Sequence, residues 1–401
     1  MTRRAFVGSV AASMVAASRR AGAQPAGEAD AAARLSLTLQ EFDRQGNHRT
    51  GTRPDLGSAQ WLTTELQAWR ISASLEPFAF ERTDVVNAYV QLRERRIDGL
   101  PLGDANLGDS FGVVGRLGAP EANTEIALVE STSPAWPAIR KTTRAGAIVL
   151  VTVAGRPGLA PVEAPDYRAP FGPPVLQVSS DEATTLWNEA QKGSAVRVVV
   201  DAKRTPGEAV NLVARVRGRD ASAAPLVVCA TRTSWWRGTS ERGGGLACVL
   251  EIARALSTAR PLRDCVLVAL SGHELGGIGL EALLRKRPEL ASARAWLCVG
   301  PNLGARERSA RVVQASDEAL LTIARESATA SGVSFDEGAI TEALGSDADR
   351  LPPEIKRVRL AARGNVYRGL AADRWPDAAS TAALAAESKA AAEIARRLAL
   401  S

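Results

Sequence analysis

The spacing of apolar positions divides the chain into three stretches. Over 31–44 and 57–69 apolar residues recur at helical spacing, which predicts two helices joined by the polar loop 46–52. From about Thr83 to Gly207 the runs shorten. Strands are expected over 87–92, 125–130, 147–153, 174–179 and 195–200, with one helix over 181–191 and Gly and Pro throughout. Beyond Asn211 apolar strands (211–216, 225–230, 264–270, 295–299, 355–360) alternate with helices (245–257, 275–286, 317–331, 377–398). That alternation predicts an α/β protein: a three-layer α/β/α unit around a mainly parallel mixed sheet, with a β-rich insert. Ligand sites in such sheets lie beyond the carboxyl ends of the strands, so the turns after Cys229, Leu270 and Val299 are the ones to inspect.

Charge changes this picture little. The chain has 50 Lys and Arg against 44 Asp and Glu. Arg3, Arg4, Arg19 and Arg20 lie in the first 23 residues, which hold no acid, so the rest is close to neutral. No dense basic run tracks phosphates, and no nucleic-acid partner is expected. The segment 1–23 has paired arginines, a weakly apolar stretch and the small residues Ala21-Gly22-Ala23. It resembles a twin-arginine export signal cleaved near Ala23, which implies a periplasmic or secreted protein. No run is long and apolar enough for a membrane span in the mature form. Cys229, Cys265 and Cys298 sit in strand-like runs and Cys248 in a helix, without metal-knuckle spacing, and read as buried free thiols.

The three turns carry a family likeness. Leu226 to Ala230 leads through Gly238-Thr239-Ser240-Glu241-Arg242-Gly243-Gly244-Gly245 to a helix. The strand ending at Leu270 runs into Ser271-Gly272-His273-Glu274-Leu275-Gly276-Gly277. This succession resembles the co-catalytic zinc exopeptidases, the family of aminopeptidase S, aminopeptidase Y and glutamate carboxypeptidase. The middle stretch, through Pro173 to Ser179 and the rejoining Val210 to Gly218, resembles their inserted protease-associated domain. The resemblance implies an exopeptidase-like domain over 24–82 and 208–401, with the protease-associated domain over 83–207.

The resemblance also implies two zinc ions on five ligands, with a separate Glu as general base. Carried over residue by residue, the ligand positions hold other chemistry. Thr231 stands at the first His and Thr233 at the Asp of the same motif. Glu241 takes the bridging Asp position, with Arg242 beside it. His273 replaces the base, and Glu274 keeps a ligand position. Pro301, with Asn302 beside it, stands at another Asp. Arg368, after Tyr367, stands at the last His. Threonine is a poor zinc ligand, and an arginine that stays protonated cannot ligate a metal. The chain has 2 histidines in all, His48 and His273, so zinc is not expected as a cofactor.

His273 reads as a turn-capping side chain; if chemistry survives, His273, Glu241 and Glu274 are its candidates. His48 reads as a packing residue. Gly243-Gly244-Gly245 reads as close packing of a helix start, with an anion site as the other option. Trp235 and Trp236, in the loop nearest the former metal centre, either close the cleft or present a binding surface, to which Tyr367 could contribute. Two functions follow: a pseudopeptidase that binds a peptide, glycan or protein partner, or an active metallo-aminopeptidase with a single-metal or rearranged site.

Overall fold

The computed structural model describes residues 28–338 and 346–401; the export-signal segment lies outside them. Leu226–Thr231 forms the middle of the main sheet, buried along its whole length. It pairs in parallel with Cys265–Leu270 on one side and Ala295–Val299 on the other, and Arg357–Arg363 continues the parallel set. Antiparallel strands flank this centre: Ala310–Ala315 at one side and the end of Ala195–Val216 at the other. Alternate side chains enter opposite cores. Leu226, Val228 and Ala230 pack under the helices Glu28–Arg44, Arg53–Ala68, Gly244–Ala259 and Thr381–Leu400. Val227 and Cys229 pack with Leu280 and Leu283 of the helix Ile278–Lys286 on the other face. A sheet covered on both faces has no use for a polar alternation, which is why these strands read as continuous apolar runs.

Two strands expected as fragments are long and unbroken. Ser72–Leu92 and Ala195–Val216 pair antiparallel over nearly their full length, with one irregularity between Val85 and Asn87. Pro77, Pro206 and Gly207 disguise them in the sequence. At their far ends they join Val113–Gly118, Ile126–Glu130, Ala147–Thr152 and Val175–Ser179 in the insert. Core membership changes along the pair: Phe80 and Ala209 pack with Ile278, whereas Ala88 and Val200 pack with Leu128.

The helix expected over 275–286 begins three residues later. A short turn, His273–Leu275, precedes it, and Gly276 (φ 80°) and Gly277 (φ 73°) lie in the left-handed region. A Cβ at Gly276 would lie 2.7 Å from the Pro165 carbonyl oxygen, so this glycine lets the insert approach the turn.

Candidate functional site

The site gathers at the carboxyl ends of Leu226–Thr231, Cys265–Leu270 and Arg357–Arg363. His273 and Glu274 are neighbours with divergent side chains. The His273 ring is buried between two carboxylates: Nδ1 lies 2.8 Å from Asp347 Oδ1 and Nε2 lies 2.8 Å from Glu163 Oε1. Burial and the Arg242 charge pull its pKa down. The two carboxylates outweigh them and raise it to about 9, so the ring is an imidazolium at neutral pH. A histidine in that state is a poor general base. Burial pushes the Glu163 carboxyl upward, but the charge and hydrogen bond of His273, with Arg242 and Arg368, hold it well below the ordinary range. Asp347 is lowered too: burial opposes, and His273, Arg242 and Arg350 prevail.

Glu274 points elsewhere. Its Oε1 accepts from the Thr50 backbone N–H at 2.7 Å and the Thr50 hydroxyl at 2.8 Å. Its Oε2 is buried without a partner, as is Trp235 Nε1. Glu241 lies 3.0 Å from Arg242 and 3.5 Å from Arg368, and accepts from the Ser234 hydroxyl at 3.2 Å. Burial raises its pKa, but Arg242, Arg368 and His273 overcome this and hold it lowered. Among these groups Glu163, Glu241, Glu274 and Asp347 stand with Arg242, His273, Arg350 and Arg368. Glu163, Glu241 and Asp347 each meet at least one side-chain cation, whereas Glu274 accepts from Thr50.

Other positions support the site rather than face it. Thr231 Oγ1 lies 3.1 Å from Asp347 Oδ2. The Thr233 hydroxyl accepts from the Gly272 and His273 backbone N–H groups, at 3.0 and 3.2 Å, and so caps the turn. Pro301 follows a cis peptide bond, and its carbonyl accepts from the Ala362 N–H. Neither Thr233 nor Pro301 lines the cleft of about 420 Å³ between insert and main sheet, whereas Glu163, Trp235, Glu241, Arg242, Glu274 and Arg368 do. The positions expected to share one pocket are thus only partly brought together.

The tryptophans divide. Trp235 is buried and forms part of the cleft wall, under Arg49 at 5.1 Å. Trp236 donates to the Leu159 carbonyl at 3.2 Å and so ties the insert down. Tyr367, the third binding candidate, is buried against Arg156, whose guanidinium carbon lies 4.3 Å from the ring centroid, and forms no part of the cleft wall. The glycine run packs closely: a Cβ at Gly244 would lie 1.8 Å from the Leu303 carbonyl oxygen. The nearby Ser240 and Glu241 N–H groups already donate to the Asp373 carboxylate, at 2.7 and 3.0 Å. Burial, helped by the Glu241 charge, pushes Asp373 up to about 7 against those donors. All four cysteines are buried free thiols, with Cys229 and Cys298 in contact across neighbouring strands.

Sequence reasoning missed Glu163 and Asp347, which lie 110 and 74 residues from His273. The only local hint at Glu163 is its setting in Pro161-Val162-Glu163-Ala164-Pro165, which marks a loop and nothing more.

Solved structures share this architecture from end to end. A zinc aminopeptidase from Bacillus subtilis superposes with a TM-score of 0.74 at 15% identity, over 92% of this chain and 94% of its own. An aminopeptidase from an Aneurinibacillus species gives 0.71 at 14% identity, over 92% and 94%. A peptidase precursor from Shewanella amazonensis gives 0.71 at 16% identity, over 93% and 97%. The chain has the zinc aminopeptidase fold. No family model and no curated protein matches the sequence.

The aminopeptidase fold raises the question of metal, and the side chains present do not fit a two-zinc site. Of the positions carried over as ligands, Thr231 is bonded to Asp347, Pro301 has no donor side chain, and Arg368 is a cation. Glu241 is neutralised by two arginines, and both nitrogens of His273 are engaged by carboxylates. Among the described residues no group of three or more His, Cys, Asp and Glu side chains is arranged to hold a metal ion.

Proposed function

We propose that this protein is an exported, non-catalytic member of the exopeptidase-like proteins, which binds a peptide, glycan or protein segment in the former active-site cleft. The observation that carries the reading is the state of His273. At the general-base position stands an imidazolium clamped by Glu163 and Asp347, and arginines lie where metal would balance the other carboxylates. A protonated His273 held by two carboxylates is poorly suited to take a proton from water, which supports a binding role over a hydrolytic one. Glu274 and Trp235 line the cleft, and each carries one buried polar atom without a partner, Oε2 and Nε1, which a ligand that shifts the wall could engage. The insert, as a protease-associated domain, supplies the opposite wall. The arginine-rich segment at 1–23 supports export, and no helix among the described residues is long and apolar enough to cross a membrane.

The test is direct. The mature protein, incubated with zinc, manganese or cobalt, is assayed for bound metal and for hydrolysis of aminoacyl nitroanilides and dipeptides. No stoichiometric metal and no turnover are expected. Turnover abolished by Glu274→Ala would establish instead a working single-metal or rearranged site around Glu241, His273 and Glu274.

A further inference from the structure

Besides the long strand pair, segment 153–171 of the insert reaches the α/β unit, and Glu163 at its middle meets the former catalytic centre. Val153, Ala154, Ala160, Pro161 and Val162 form a wall of the cleft. Around them the segment is tied down at intervals. Arg156 pairs with Glu307 at 2.6 Å, the Leu159 carbonyl accepts from Trp236, the Ala164 N–H donates to the Glu274 carbonyl at 2.9 Å, and Arg168 pairs with Glu281 at 2.9 Å. The two outer ion pairs are roughly half exposed, and pairs of that kind contribute little.

Glu163 is different. Its carboxylate meets cations from three separate turns of the α/β unit: His273 at 2.8 Å, Arg350 at 3.6 Å and Arg368 at 3.6 Å. His273 is fully buried and held from behind by Asp347. The resemblance puts zinc ligands at two of these turns, 273–274 and 368; here a carboxylate from the insert joins them.

We infer that Glu163 is an interdomain latch: the insert's carboxylate, captured by the cations of the metal-free centre, holds segment 153–171 against the α/β unit and so keeps the ligand cleft in its narrowed form. The groups that face His273 from each packed element are Glu163 of the insert, Asp347 of the following turn, Arg242 and Glu241 of the glycine-rich turn, and the Thr233 hydroxyl, which accepts from its backbone N–H. Among the acidic ones only Glu163 belongs to the insert, so removing its charge unlatches the insert while leaving the Asp347 partner in place.

Glu163→Gln keeps the size and removes the charge. Hydrogen exchange by mass spectrometry on the full mature chain should show peptides within 153–171 exchanging about tenfold faster than in the parent, with the strands Leu226–Thr231 and Cys265–Leu270 unchanged. Exchange in 153–171 indistinguishable from the parent would overturn the latch. If Glu163→Gln does not fold, Arg368→Gln decides the matter by the same exchange measurement. Faster exchange in 153–171 supports the latch, and unchanged exchange overturns it. The inference rests on the metal-free reading above, and the two fail separately: stoichiometric zinc sinks that reading, whereas an unaltered variant that binds no metal sinks only the latch.

Discussion

His48 and His273 are both buried, yet the first is neutral and the second is charged. His48 lies in the loop between the first two helices, its ring stacked on Phe42 at 3.8 Å between centroids, with Nδ1 3.0 Å from the Arg237 carbonyl oxygen. No carboxylate touches the ring. Burial pushes its pKa down to about 3, and it is a neutral packing residue. His273 lies in the turn after a central strand, between two carboxylates, and is charged. Burial alone therefore does not set a histidine's role; the neighbours that share the burial do. At His48 the fold excludes charge, and at His273 it has assembled charges of both signs.

The strongest way to break that contrast is to remove one counter-ion. Asp347→Ala should leave the imidazolium with Glu163 as its one carboxylate partner and lower stability at neutral pH by about 3 kcal/mol, read by urea denaturation. A loss near zero would mean that the His273 charge is not held as described. The pH profile comes next in size. The His273 pKa is raised on folding, so its contribution is complete below its unfolded value of about 6.5. That contribution is lost as pH rises through about 9, and amounts to roughly 3 kcal/mol. His48 is a base whose pKa is depressed on folding. Its contribution is complete above about 6.5 and fades as pH falls towards 3. Stability followed from pH 4 to 10 should therefore decline on both sides. The alkaline loss should shrink in His273→Gln and the acid loss in His48→Gln; swapped limbs would reverse the assignment. The smallest effect is the cost of His48→Gln itself at pH 7, about 1 kcal/mol for the lost stacking and hydrogen bond, measured by the same denaturation.

Much of the architecture was legible in the chain. The strands 225–230, 264–270 and 295–299 are continuous apolar runs because the sheet is covered on both faces, and they lie where expected. The breaks had local causes that a pattern of hydrophobicity does not show. Pro77 and Pro206 sit inside long paired strands because the antiparallel partner supplies the remaining ladder bonds. Gly276 and Gly277 delay a helix, and Gly276 admits the insert's backbone. At the site, Arg368 lies beside Glu241, whereas Pro301, Thr233 and Tyr367 form no part of the cleft wall.

That threonine, proline and arginine stand at the positions the resemblance gives to zinc ligands was read from the sequence alone. Whether a side chain can donate a lone pair to a metal belongs to the residue itself, and threonine, proline and arginine do so poorly or not at all wherever they are placed. What occupies the centre instead was decided only by tertiary structure. The charge of His273, the solitary oxygen of Glu274 and the arrival of Glu163 depend on distances between groups far apart in the chain. Electrostatic energy is set by those distances and by exclusion of water, neither of which is written in the order of the residues.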